Sequence, residues 1–248
     1  MNPSAHSGML LLALTLVAAL PTEAATQRFR GVTEPFLDAI LNSPVDGIIG
    51  RHFHQEGSFV REGEILLELD RSLQELEAAR RKIVRDNRQR EYERMSALFK
   101  ETRSVSEEEL DKKRLEYLEA AADYDLAAEL SRKRQIVAPF SGYVVDLFNR
   151  EPGEGCKQNE TPLVRLVDTR QARLVCSLEA GVAPRLREKQ QVRVELDEGG
   201  RPRVVAGTVI FVSPVVDAAS GLLTVKVLFQ NPDNEIRPGV GGWLLVEE

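Results

Sequence analysis

Two histidines, His52 and His54, have the clearest capacity for metal chemistry, because they stand two positions apart in the segment RHFHQEG. At that spacing both imidazoles would project from the same face of a strand. A zinc site uses three or four protein ligands, and the only other histidine, His6, lies in an apolar N-terminal segment. The three methionines are too few to indicate a soft-metal cluster. The sequence therefore predicts no metal and no cofactor.

The chain has only two cysteines, Cys156 and Cys176. An even number of cysteines in an exported protein is compatible with a disulfide. Nothing in the sequence shows that the two residues meet, and a disulfide needs Cα atoms within about 7 Å of each other. We favour two unpaired, half-buried strand residues, and the disulfide remains the alternative.

Patterns typical of enzymes are missing from the sequence. No Ser-His-Asp order, paired-carboxylate pocket or glycine-rich phosphate loop stands out. The pair Asp111-Lys112 is reminiscent of a carrier lysine, but such a lysine must stand at the tip of a tight hairpin. Lys112 instead lies inside a stretch with the composition of a helix. We therefore expect a protein without catalytic activity.

The overall composition indicates an elongated protein. The 248 residues carry a formal net charge of −6, which disfavours non-specific binding to nucleic acid. Aromatic residues make up 6% of the chain and charged residues 29%, and the charges concentrate in the middle. A large, dense core is not expected from these numbers.

The N-terminus resembles an export signal. The run MLLLALTLVAAL, from Met9 to Leu20, has the length of a signal-peptide core and is short for a bilayer span. The small residues that follow suit cleavage after Ala24 or Ala25, although the preceding residues MNPSAHSG carry no Lys or Arg. Residues 1–25 are predicted to be a signal peptide, with an uncleaved N-terminal anchor as the alternative.

One short phrase occurs twice, about ninety residues apart. Pro44-Val45-Asp46-Gly47 and Pro139-Phe140-Ser141-Gly142 each open a strand-rich segment that ends in an alternating apolar strand and an Asp. Neither segment is long enough for a core of its own, so we expect the two halves to form one small β-sandwich together. Gly47 and Gly142 are the repeat glycines, and we expect each to need positive φ or close backbone approach.

Between the two halves lies a helical stretch. Residues 71–134 contain no Gly or Pro and are rich in Leu, Ala, Glu, Lys and Arg. The pattern breaks once, near KETRSVS, and Ser106 with Glu109 has the spacing of a capping box that begins a second helix. The stretch therefore predicts an antiparallel helical hairpin.

The apolar residues of this hairpin predict its seam. We expect a first stripe to pack against a second one, respectively Leu115, Leu118, Ala122 and Leu126, and Leu73, Leu76 and Ile83. The segment RDNRQRE, residues 85–91, is polar all round. It indicates either that other surfaces pack there or that this face is simply solvated.

Split halves around a long helical hairpin, after an export signal, resemble the periplasmic adaptor proteins, also called membrane fusion proteins, of bacterial tripartite efflux systems. The resemblance implies a mainly β fold with an inserted α-helical hairpin, in which a split biotinyl/lipoyl-like β-sandwich is joined to a β-barrel. The resulting division is a signal or anchor (1–25), a strand joining the barrel (31–42), lipoyl-like half 1 (43–70), the hairpin (71–134), lipoyl-like half 2 (135–168) and the barrel (169–248).

The resemblance also implies a function. Such adaptors join an inner-membrane efflux transporter to an outer-membrane channel in the periplasm, as homo-oligomeric rings of three or six copies. At the family's hairpin tip an Arg, a Leu and a Ser dock the channel; Arg94 and Leu98 match that spacing, whereas Ser106 comes one residue late. The competing interpretation is a secreted coiled-coil scaffold that binds a partner without a transport role.

Overall fold

The computed structural model describes residues 26–101, 104–148, 151–179, 181, 186–198 and 201–247. The predicted export signal therefore lies outside the described residues. In chain order the elements are β1 (Thr26–Asn42), β2 (Gly47–His52), β3 (Phe59–Val60), β4 (Ile65–Leu69), α1 (Ser72–Glu101), α2 (Glu107–Arg132), β5 (Gln135–Val137), β6 (Gly142–Leu147), β7 (Gly155–Cys156), β8 (Pro162–Glu179), β9 (Gln191–Glu198), β10 (Arg201–Val212), β11 (Leu222–Gln230) and β12 (Gly241–Glu247). The predicted fold class, mainly β with an inserted helical hairpin, is confirmed.

Two long strands, β1 and β8, run through both β modules. The first part of β1 pairs with β12, and the rest of the strand pairs with β8 as far as Asn42. Strand β8 begins beside β6 and continues beside β11. The order β1-β12-β9-β10-β11-β8 is closed by the β1–β8 pairing, which makes a six-stranded barrel without free edges.

The barrel is held by an apolar core. Along β11 every second side chain is buried, as expected for a strand with one face turned inward. The fully enclosed residues include Leu174, Val194, Val227, Phe229 and Leu244. Burial of side chains of this size contributes about 1.5–3 kcal/mol each, so the barrel is stabilised mainly by its interior.

The lipoyl-like sandwich is built by exchange of strands between the two repeated halves. Strands β2 and β4 of the first half pair with β7 and β5 of the second, and β3 of the first pairs with β6 of the second. The halves also share one apolar core, in which Leu66 and Leu69 pack in the same cluster as Leu163 and Leu166. Each half supplies pairing partners and core to the other, which explains why about thirty residues need not fold alone.

The two cysteines lie in separate cores. Cys156 is buried in the sandwich and Cys176 in the barrel, and both are free thiols. The Sγ atom of Cys156 is 3.3 Å from the hydroxyl oxygen of Ser43. Burial raises the pKa of the Cys176 thiol to about 12, so this group stays protonated at neutral pH. The structure thus agrees with two unpaired strand residues, but the expectation that they are half-buried is wrong, since both are buried.

Candidate functional site

The helical hairpin is the part of the molecule that projects from the β modules, and both of its helices begin at capping residues. The Asp70 carboxylate accepts hydrogen bonds from the Ser72 backbone N–H and hydroxyl, at 3.1 and 2.8 Å. The predicted capping box is confirmed, because the Glu109 N–H donates to Ser106 Oγ and the Ser106 N–H donates to the Glu109 carboxylate. These caps fix where the two helices start.

The seam between α1 and α2 contains small and charged residues. Only Ala120, Ala127 and Ser131 are buried among the described residues of the two helices. Arg81 forms an ion pair with Asp123, and Arg88 Nη1 lies 3.0 Å from a carboxylate oxygen of Glu116. Exposed pairs of this kind contribute little individually, so the seam is weakly stabilised along most of its length.

Aromatic side chains add contacts in the polar part of the seam. The rings of Tyr92 and Tyr117 stack in parallel with centroids 6.1 Å apart, and the Arg85 guanidinium lies 4.3 Å from the centre of the Tyr124 ring. Lys113 reaches Glu91 across the hairpin at 3.5 Å. The polar segment at residues 85–91 is therefore partnered within the hairpin, where the sequence left open solvation or packing by other surfaces.

The predicted leucine seam is wrong. The five leucines and the one isoleucine of the two stripes are between 49% and 76% exposed, and Ala122 is exposed as well. The helical period shows which residues share a face but not which face turns inward. The face of α2 that carries Ala120 and Ala127 packs in the seam. The leucines of α2 lie roughly opposite this face around the helix.

The displaced stripes form two apolar surfaces on the sides of the hairpin. We call Leu73, Leu76 and Ile83 the α1 edge, and Leu115, Leu118, Ala122 and Leu126 the α2 edge. The two edges face away from each other because the two helices meet through their seam faces. Leucines in these positions do not stabilise an isolated hairpin. They would contribute apolar contact area if another molecule covered this surface.

The tip residues proposed for docking lie at the far end of the hairpin. Arg94 and Leu98 are one helical turn apart on α1, and both are exposed, Leu98 to 39%. Ser106 is the N-cap of α2, on the other side of the turn from Leu98. Residues 102 and 103, within this turn, lie outside the described residues. The structure places the three residues at one end of the hairpin, and their docking role remains a prediction.

The two repeat glycines differ in their surroundings. A Cβ atom on Gly142 would lie 2.5 Å from the Val167 carbonyl oxygen, which is backbone and unable to move aside. On Gly47 it would meet Arg134 Nη1 at 3.1 Å and Leu69 Cδ1 at 3.2 Å, both ends of side chains. Neither glycine is among those with positive φ. Close packing against a neighbouring backbone therefore requires glycine at position 142, whereas the side chains around position 47 are able to move aside.

Charge pairing governs the electrostatics of the hairpin. Hydrogen bonds from Arg80 and Arg81 lower the pKa of Glu77 from 4.5 to about 2. The pKa of Glu91 is lowered first by Arg88, and that of Glu116 first by Lys113. These three carboxylates are charged at neutral pH and paired with basic side chains, so none of them is suited to act as a general acid at neutral pH.

The two histidines considered for metal binding do not gather further ligands. His52 ends β2, and His54 follows the strand with Nε2 4.0 Å from a Glu64 carboxylate oxygen. Within the described ranges no cluster of three or more His, Cys, Asp or Glu residues has the arrangement of a metal site.

In that same part of the chain, neither helix has the length and apolar character that a bilayer span requires.

Sequence reasoning missed the residues that make the seam. The signal was present, because Tyr117 and Tyr124, like Ala120 and Ala127, recur after seven residues. A seven-residue repeat is the period of a coiled-coil contact. The seam was predicted on the wrong face of each helix because that prediction followed the leucines, which are large and apolar.

The sequence is similar to those of efflux proteins from bacteria. It is 28% identical to the solvent efflux pump periplasmic linker SrpA of Pseudomonas putida, over 95% of this chain and 62% of SrpA. It is also 28% identical to the toluene efflux pump periplasmic linker protein TtgG of that species, over 95% of this chain and 61% of TtgG. The chain thus spans less than two thirds of the length of these relatives. No protein-family model matches it.

The fold is also found in solved protein structures. A MacA–MexA chimera carrying the MexA α-hairpin domain of Pseudomonas aeruginosa superposes with a TM-score of 0.75 at 19% identity, covering 90% of this chain and 82% of the chimera. A membrane fusion protein from Streptococcus pneumoniae gives a TM-score of 0.66 at 14% identity, covering 90% of this chain and 99% of that protein. The predicted resemblance to the periplasmic adaptors is confirmed.

Proposed function

We propose that this chain, which has the fold of the membrane fusion proteins, is a periplasmic adaptor of a tripartite efflux system. In this role it links an inner-membrane transporter to an outer-membrane channel and catalyses no reaction. The similarity to two periplasmic linkers of efflux pumps over 95% of the chain supports the proposal. The protein would be exported to the periplasm, where its N-terminal segment is either removed or kept as an inner-membrane anchor.

The observation that carries the proposal is the outward position of the hairpin leucines. Leu76 is 69% exposed on the α1 edge, and Leu126 is 63% exposed on the α2 edge. Large apolar side chains in such positions lower the solubility of a single molecule and favour its association with others. A hairpin with two apolar edges and a polar seam suits a protein that works side by side with copies of itself.

The positions of the two edges support assembly into a ring. Because they lie on opposite sides of one hairpin, the α2 edge of one copy is able to cover the α1 edge of the next. Such a contact joins two different surfaces, and its repetition gives a closed ring when the rotation between neighbours divides a full turn. We propose a trimer or hexamer, in which the hairpins stand next to each other and the tips point toward the channel.

The levels of the two edges agree with this arrangement. The cross-helix pairs Arg81–Asp123 and Arg88–Glu116 show which residues of α1 and α2 lie side by side. They place Leu126 level with residue 78, only two residues from Leu76 and about 3 Å along the helix axis. In a ring whose axis runs parallel to the hairpins, Leu126 of one copy therefore meets Leu76 of its neighbour.

We assign the channel contact to the tip residues Arg94, Leu98 and Ser106. Arg94 would make polar contacts with the channel, Leu98 would pack between its helices, and Ser106 would hold the turn as the N-cap of α2. Exposure of Arg94 and Leu98 supports this assignment, because a docking side chain must reach the surface of its own molecule. The exposure also means that substitutions at both positions should leave the fold intact.

A complementation experiment tests the proposal. Arg94→Asp and Leu98→Glu, expressed in a strain lacking its adaptor, should fold and be exported but fail to restore solute resistance. A charge in place of Leu98 would be buried unfavourably at the contact. Ser106→Ala should have a smaller effect, since loss of an N-cap costs about 1 kcal/mol.

Matched controls separate docking from general damage. Arg61→Asp, at an exposed sandwich position, and Val215→Glu, at a barrel position that is 70% exposed, should both restore resistance. Full resistance with both tip variants would show that the tip is not the docking surface. A wild-type protein that folds and associates but never supports resistance with any transporter and channel would instead favour the scaffold interpretation.

A further inference from the structure

A groove lies where the sandwich meets the barrel, away from the hairpin. It has a volume of about 690 Å³ and is lined by β1, β6, β8 and the loop before β12. Small-molecule sites occupy about 300–1,000 Å³ and are favoured at junctions between modules. None of the groove residues belongs to the tip or to either leucine edge, so this cavity has no part in the assembly proposed above.

The walls of the groove are largely apolar. Pro35, Val145, Val167 and Pro238 contribute hydrocarbon surface, and Val145 is 48% exposed on the groove side of the sandwich. Because Val145 stands on β6 and Pro238 stands in the barrel, the apolar wall is shared by the two modules. An apolar body in the groove would therefore contact both of them at once.

Charged groups converge on the same groove. Arg165 forms two hydrogen bonds with the carboxylate of Asp38, at 2.9 and 2.6 Å, and Arg173 Nε is 3.1 Å from Glu34. Both arginines are thereby neutralised by a carboxylate within the lining. The third arginine, Arg237, has no ion-pair partner among the residues that the structure describes. The lining thus holds three arginines and two carboxylates, an excess of one positive charge.

We propose that this groove binds a small amphipathic anion, a carboxylate with an apolar body. The guanidinium of Arg237 would pair with the carboxylate, for which its planar fork of N–H donors is suited. The apolar body would lie along Pro35, Val145 and Pro238. Since the ligand spans the sandwich and the barrel, its binding stiffens the joint between them. This site is independent of the adaptor role, and its failure would leave that role untouched.

Isothermal titration calorimetry on the full chain tests the site with decanoate below its micelle concentration. We expect saturable binding at one site per chain. Decanamide, which has the same apolar body without the charge, should bind at least about tenfold more weakly, because a hydrogen bond to a charged group exceeds a neutral one. Acetate, which has the charge without the body, should not bind measurably.

Two variants locate the binding in the groove. Arg237→Gln should weaken decanoate binding about tenfold or more, and Val145→Trp should weaken it as well by placing a bulky ring on the apolar wall along which the ligand's body would lie. Both positions are exposed, so the variants should melt as the wild type does. Arg61→Gln, which removes an exposed arginine outside the groove, should bind decanoate normally.

The proposal is overturned by any of three results. These are no saturable binding of decanoate, equal affinity for decanoate and decanamide, and wild-type affinity in either Arg237→Gln or Val145→Trp. A raised thermal midpoint of the wild type with decanoate, absent from both groove variants, would add support through linkage between binding and folding.

Discussion

The barrel and the helical hairpin place their apolar residues in opposite ways. In the barrel, Phe229 and Leu174 are fully buried among other apolar side chains. In the hairpin, Leu118 and Leu126 are exposed, and the seam is formed by alanines, tyrosines and ion pairs. The barrel thus buries its large apolar side chains within one chain, whereas the hairpin leaves its leucines exposed. The difference separates residues that stabilise the fold from residues to which we assign a role in the proposed assembly.

The largest effect should come from truncation of the barrel core. Phe229→Ala should lower the free energy of unfolding by about 3–5 kcal/mol, because it removes a buried aromatic ring and leaves a cavity. Leu118→Ala on the α2 edge removes a large side chain from the surface and should change stability by less than about 0.5 kcal/mol. Urea melts of the two variants measure the contrast, and similar losses in both would mean that the edge leucines are internal packing.

A second, smaller contrast concerns the repeat glycines of the sandwich. Gly142→Ala should destabilise by about 1–3 kcal/mol, since the new methyl group meets the Val167 carbonyl and the backbone must shift. Gly47→Ala should cost about 0.5 kcal/mol or less, because Arg134 and Leu69 are able to move their side-chain ends. Urea melts of Gly142→Ala and Gly47→Ala measure this difference in the free energy of unfolding. Equal losses would show that the two halves are equivalent, as the repeat in the sequence predicted.

The smallest effect should be a selective response of the hairpin to acid. The pKa of Glu77 is about 2 in the folded chain and 4.5 ordinarily, so its stabilisation is present above pH 4.5 and is lost as pH falls toward 2. The pKa values of Glu91 and Glu116 are lowered by their basic partners in the same direction. Helical circular dichroism should therefore decline in this range.

The barrel offers an internal reference for the acid titration. The chain's only tryptophan, Trp243, stands on β12, so its fluorescence reports on the barrel. We expect that signal to change at lower pH than the helical signal does. Glu77→Gln should show a smaller helical decline across the same range, since it lacks the titrating carboxylate. Coincident transitions of both signals in the wild type would contradict a separately weakened hairpin.

Much of the fold could be predicted from the sequence because its signals are local. The absence of Gly and Pro over residues 71–134 indicated the helices, and Ser106 with Glu109 marked the start of α2. The Pro-x-x-Gly repeat indicated that the halves belong together. Each of these signals depends on neighbouring residues or on a match between two short segments, which a single sequence contains.

The missed features depend on what each residue meets in three dimensions. The exchange of strands between the halves joins β2 to β7 and β4 to β5, and no spacing in the sequence specifies it. The difference between Gly47 and Gly142 arises from a carbonyl of β8 that only folding brings near. The face of α2 that turns inward could not be predicted from its leucines. A leucine favours burial, but the sequence does not say whether its own chain or another molecule buries it.

Cysteine cross-linking in cells tests most directly whether the hairpin edges join neighbouring copies. Leu76→Cys and Leu126→Cys stand on opposite edges, and with two helices of about 10 Å diameter between them they are too far apart to bridge within one hairpin. Under oxidising conditions the double variant should give a ladder of dimers, trimers and larger species, whereas each single variant should stay monomeric. A monomeric double variant, or dimers formed as readily by a single variant, would contradict edge-to-edge assembly.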